Sequence, residues 1–148
     1  MNDSDIWVKV SALKATSSFL TSLENKEDTK LFSPIIEPMM NTIIAALQQD
    51  EQIGWKALEA MIILAEFHPD LFENYCATIV NICSQIMENK EFEPETRNYS
   101  TEFICIIGEM YPSLLRRTEE IKTKFYPALF KMMTEVELPE DDEQEEWL

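Results

Sequence analysis

Residues 58–69, LEAMIILAEFHP, lie over residues 101–112, TEFICIIGEMYP, without a gap. Glu59 falls on Glu102, Glu66 on Glu109 and Pro69 on Pro112, always 43 positions apart. Pro38 in EPMM and Pro127 in YPALF stand about two such periods from each other. Helix one joins less closely, with Ala12 over Ala57 at an offset of 45. A self-match at this spacing marks a repeated helical hairpin of the HEAT or armadillo kind, which buries its apolar face only by stacking on its neighbours.

The hydrophobic pattern within each unit is helical. In residues 31–47, Phe32, Ile35, Ile36, Met39, Met40, Ile43, Ile44 and Leu47 share one face. Residues 71–87 repeat this stripe from Phe72 to Met87. Both stripes have the 3.6-residue period and the width of a helix packed against several others. Strand-type alternation is absent, only two glycines occur, and the seven prolines fall between apolar stretches or near their starts. The reading is all-α: roughly 5–23, 30–49, 51–67, 70–89, 94–111 and 119–136 as helices, about three hairpins. Residues 1–136 form the repeats, and 137–148 form an acidic loop expected to be disordered from about Glu140.

Charge and cysteines narrow the function. The net charge is −16, and eight acidic residues with no basic one lie from Glu135 onward. Such a field opposes direct binding to nucleic acid and to anionic membranes, and favours a basic protein or peptide. No apolar run is long enough to enter and cross a bilayer. Cys76, Cys83 and Cys105 contain no CxxC pair, and His68 is the one histidine, too few groups for a zinc site of ordinary spacing. Buried reduced thiols are the expectation. No phosphate loop or nucleophile–His–acid set can be assembled, and no carboxylate pair stands out as an acid/base couple. No cofactor is implied, and the chain reads as a binding module rather than an enzyme.

Local detail favours HEAT, whose second helix carries an acidic residue, a basic residue six positions on and a small residue three further. Asp3, Lys9 and Ala12 fit, as do Glu91, Arg97 and Ser100. In the middle unit Gly54 takes the basic position, with Lys56 two residues later. A HEAT scaffold outside transport, such as a phosphatase or condensin-type adaptor, fits this pattern too.

The segments VKVSALKATSSFLTSLEN, ALEAMIILAEFHPDLFENY and QIMENKEFEPETRNYSTEFICIIGEMYPSLLRR resemble the middle HEAT repeats of karyopherin-β nuclear transport receptors of the importin beta-3 type. YPALFKMMTEVE, followed by an acidic run and a tryptophan, is similar to that family as well. The resemblance implies a superhelical receptor of cytoplasm and nucleus that binds basic nuclear localisation segments on its concave, second-helix surface. It also implies release by Ran-GTP, with nucleoporins as further partners of the full-length receptor. Such receptors are several times longer, so this chain reads as a piece of central repeats whose end helices have lost neighbours. Self-association through their apolar residues is expected. In the family a loop like Glu140, Asp141, Asp142, Glu143, Glu145 and Glu146 is a contact for Ran or basic cargo.

Candidate cargo-binding residues follow the repeat. Glu59 and Glu66, and Glu102 and Glu109, are seven apart, so each pair shares a helix face, and stacking brings the two faces side by side. They form an acidic stripe for cargo Lys and Arg, or an ordinary solvated face; Lys14 interrupts the stripe in helix one. Trp55 and Asn98 share a register, where an aromatic beside carboxylates can stack on a cation or simply pack on the preceding helix. Trp7 reads as core, and the methionines of PMM and KMM as core fillers. His68, before a proline in a turn, is assigned no catalytic role.

Overall fold

The computed structural model describes residues 4–135. Asp3, the expected helix end at 136 and the acidic loop residues Glu140, Asp141, Asp142, Glu143, Glu145 and Glu146 lie outside the described residues. Every regular element among the described residues is helical.

Helix α1 spans Ile6–Thr21, opened by the Asp5 carboxylate accepting the Trp7 N–H at 2.8 Å. A short α2, Lys26–Lys30, and a 3-10 turn, Ser33–Ile35, precede α3, Ile36–Gln49. The expected single helix over 30–49 is therefore broken. Pro34 sits in the 3-10 turn, and its missing N–H and ring do not fit a continuous helix, whereas Pro38 falls in the tolerant first turn of α3.

Helix α4, Glu51–Phe67, agrees with expectation to the residue. Asp50 alone links it to α3, and the Asp50 side chain caps it by accepting from the Gln52 and Ile53 N–H groups. Pro69 opens a 3-10 turn, Pro69–Phe72, that buries Leu71 and Phe72, so α5 starts only at Cys76 and runs to Glu88. Helix α6, Pro94–Met110, has proline at its first position.

The last expected helix, 119–136, is also divided. Pro112 ends α6 and at the same time starts α7, Pro112–Arg117. A wide π-type turn, Ile121–Phe125, then leads into α8, Tyr126–Met133. The wide turn lies where the Pro127 ring would meet the Thr123 carbonyl of a regular helix.

These elements stack in two rows. Helices α1, α4 and α6 pack side by side in one row; α3 backs α4, and α5 backs α6, with α8 and the π-type turn against α5. This is the expected all-α HEAT solenoid arrangement. Leu13, Leu58, Met61, Phe72, Phe103 and Ile104 are fully buried between the rows, and Phe72 meets Phe103 edge-on at 5.6 Å. The buried positions Val10, Leu13, Ser17 and Leu20 of α1 match Gly54, Ala57, Met61 and Leu64 of α4. Leu13, rather than Ala12, thus occupies the Ala57 position. The Ser17 hydroxyl donates to the Ala60 carbonyl at 2.7 Å, tying the two helices.

Several side chains differ from the sequence reading. Trp7 is 57% exposed, because α1 turns Ile6, Val10 and Leu13 inward and leaves Trp7 on its far side. Met39 and Met40 fill the core, but Met133 is exposed. His68 is buried, with neither ring nitrogen hydrogen-bonded among the described residues. Cys76 and Cys83 are buried free thiols, Cys83 pushed up to about 12 by burial, while Cys105 is exposed.

Arg97, which holds the basic position of the HEAT pattern in α6, clasps two elements. Its Nε donates to the Met87 carbonyl at 2.7 Å, and its Nη2 to the Glu135 carboxylate at 2.7 Å, which Lys90 also approaches at 3.3 Å. The cation therefore meets the negative end of α5 as well as a carboxylate. The hydrogen bond from Arg97, helped by Lys90, holds the Glu135 carboxyl below the usual carboxylate range, outweighing an upward push from burial. A depressed carboxyl contributes stability above its unfolded value and loses it as pH falls through the folded one. The stability gap between the parent and Glu135→Gln, measured by urea unfolding, is expected to be full at neutral pH and to close on acidification. A gap independent of pH would refute the clasp.

Candidate peptide-binding face

The four stripe carboxylates lie on the α4–α6 surface, and Glu59, Glu66, Glu102 and Glu109 are all exposed. The two helices run in the same direction, since Glu51 meets Glu93 and Trp55 meets Tyr99 on successive turns. On α6 the spacing puts Asn98, Glu102, Cys105 and Glu109 on one face. Their shared field is felt at Cys105, whose thiol is pushed up first by burial, then by Glu109 and then by Glu102. Glu102→Gln and Glu109→Gln are each expected to speed alkylation of Cys105 near pH 8 by about twofold, because less negative potential opposes the thiolate. Mass spectrometry after iodoacetamide treatment reads this out; unchanged rates in both variants would separate the three side chains.

Glu59 has different surroundings. It lines a groove of 230 Å³ between α1 and α4 together with Lys14 and Lys56. The interruption by Lys14 was legible from the repeat; the second lysine was not. The stripe is therefore most strongly acidic on α6 and partly neutralised toward α1.

Trp55 and Asn98 are not partners. Asn98 is exposed, and Trp55 instead stacks on Tyr99, with ring centroids 5.7 Å apart and planes within 4°. The stack borders a cleft of 360 Å³ between the first turns of α4 and α6, with Glu51, Glu93, Glu95 and Thr96 around it. Glu51 Oε1 accepts the Glu93 N–H at 2.7 Å, joining the two helix starts. Acidic side chains near helix N-termini are stabilising in themselves, so local propensity accounts for part of this cluster. Sequence reasoning missed Glu51, Glu93, Glu95 and Tyr99 because their proximity depends on how α4 and α6 stack.

On the other row, a groove of 550 Å³ separates α3 from α5, with Ile44, Leu47, Ile82, Ile86 and Phe92 interleaved with polar side chains such as Gln48, Gln85 and Asn89. Among the described residues there is no cluster of three or more His, Cys, Asp or Glu side chains fit to hold a metal. No described helix is long and apolar enough to cross a membrane.

A two-row stack of helical hairpins at this spacing defines a helical-repeat protein of the HEAT type. Residues 1–82 match the family model described as "IPO5-like, TPR repeats", and residues 89–148 match the one described as "Importin repeat". The chain belongs to this importin-5-like family. Over 148 residues, 99% of the chain, it is 27% identical to a probable importin-5 homolog of Dictyostelium discoideum. It is 25% identical over 143 residues, 95% of the chain, to importin subunit beta-3 of Saccharomyces cerevisiae. The chain spans 13% of the length of each relative. No solved structure matches it. Although the family description speaks of TPR repeats, the 43-residue spacing in this chain is that of HEAT units rather than the roughly 34 of TPR.

Proposed function

We propose that this chain is a protein-binding HEAT segment of a nuclear import receptor, and that its α4–α6 face receives basic localisation segments of cargo. The observation that carries this reading is the exposed row of Glu59, Glu66, Glu102 and Glu109, of which Glu102 and Glu109 act together on Cys105. Names of the relatives as importins support the setting. Ran-GTP and nucleoporins are partners of the whole receptor in this reading, which works between cytoplasm and nucleus and performs no catalysis. Glu140, Asp141, Asp142, Glu143, Glu145 and Glu146 add a second contact for Ran or basic cargo. Exposed Trp7 and Val8 on α1, with Phe130 and Met133 on α8, offer apolar surface to adjoining repeats or to a second copy.

A fluorescent lysine-rich peptide tests the reading directly. Its affinity is expected to fall steeply between low and physiological salt, where the screening length shortens from about 30 Å to about 8 Å. Absence of binding, or binding indifferent to salt, would refute it.

A further inference from the structure

We infer that the cleft between the first turns of α4 and α6 is a pocket for an arginine guanidinium, selective for arginine over lysine. The inference rests on the reading that basic segments bind this face, and specifies one side chain of them.

Three independent features converge there. The first is aromatic: Trp55 and Tyr99 stack with nearly parallel planes and border the cleft. Lys56 Nζ lies 5.8 Å from the Trp55 centroid, and among the described residues no carboxylate pairs with that ammonium. Lys56 approaches from the α1–α4 groove and leaves the α4–α6 cleft open. The second is charge: Glu51, Glu93 and Glu95 surround the space, and among the described residues no Lys or Arg forms an ion pair with any of them. The third is an unspent polar group. Thr96 lines the cleft at 1% exposure, and its hydroxyl has no hydrogen-bond partner among the described residues.

A guanidinium matches this set better than an ammonium does. It is flat, so it stacks on an aromatic edge or face while its N–H groups fork toward carboxylates. Its weaker hydration lowers the cost of entering a partly enclosed cleft. Lysine, a strongly hydrated point charge, keeps the long-range attraction to the acidic surface and gains little from the rings. The cleft, 360 Å³ in volume, has room for one such side chain.

The experiment uses the full chain with Trp7→Phe and Trp147→Phe, leaving Trp55 as the only tryptophan. Two peptides of equal length and charge, one with arginines and one with lysines, are titrated at low salt while affinity and Trp55 emission are followed. The arginine peptide is expected to bind about tenfold tighter and to change Trp55 emission. Glu93→Gln with Glu95→Gln, both exposed side chains that leave packing untouched, is expected to erase the preference. Tyr99→Leu should do the same. If both peptides bind equally and leave Trp55 emission unchanged, the pocket is refuted while the basic-segment reading stands. A preference that survives Glu93→Gln with Glu95→Gln also refutes it. If neither peptide binds, the reading of the whole face fails.

Discussion

Replacing Gly54 by alanine is expected to cost about 2 kcal/mol, while the same change at Gly108 is neutral or stabilising by up to about 1 kcal/mol. A Cβ at Gly54 would lie 2.6 Å from Leu47 Cγ and 2.9 Å from Leu47 Cα, well inside contact distance. The obstacle includes backbone, and α3 cannot slide away because Asp50 alone joins it to α4. At Gly108 the Cβ would meet only the Leu115 Cδ2 at 2.8 Å, the tip of a flexible side chain that can rotate aside. Both glycines are helical, so alanine gains the same propensity at each, and the difference isolates packing. In a chain of this length the Gly54 variant should melt about 4–8 °C lower than the parent. Lysine at Gly54 should cost more still, although Arg97 holds the matching position in the following unit. Equal melting temperatures for the two alanine variants would overturn the account. The missing basic residue of the middle unit is thereby explained: the short corner leaves no room for a side chain.

Reversing the charge at Glu59, Glu66, Glu102 and Glu109 together should weaken binding of a lysine-rich peptide by about a hundredfold or more. Each exposed ion pair is worth only about 0.2–1 kcal/mol, so single changes will be small. Reversal replaces attraction by repulsion at every position, and four such changes on two adjacent helices act on one ligand. Because the chain carries a charge of −16, any loss of acidity weakens cationic ligands somewhat. The control therefore reverses Glu24, Glu37, Glu88 and Glu119, exposed side chains outside the α1, α4 and α6 helices, for the same change in net charge. Comparable losses in both variants would reduce the stripe to a general effect of acidity. The weaker share is expected from Glu59, whose groove already contains Lys14 and Lys56.

The sequence was most informative where local chemistry and tertiary packing agree. Asp50 as cap and Pro69 beyond the end delimit α4 to the residue. Where an apolar stripe runs across a proline, the stripe conceals the break, as at Pro34 and Pro127; the chain keeps its buried face while its backbone changes turn type. Exposure of Glu102 and Glu109 follows from helical spacing alone. The Trp55–Tyr99 stack does not, because a shift of one residue between stacked helices changes which side chains meet. Trp7 shows the same limit from the other side: an aromatic on a half-apolar helix reads as core until the neighbouring helices are in place. Arg97 fits the family spacing but spends its charge on Met87 and Glu135, a use that only the packing of α5 and α8 reveals.

The gap between α3 and α5 has a mechanical meaning. The stack is bonded closely along α1, α4 and α6, whereas the opposite row is parted by a groove of 550 Å³. Such a body bends like a leaf spring, with a stiff leaf and a slotted one. Tightening or relaxing its curl narrows or widens the slot without prising apart a packed core.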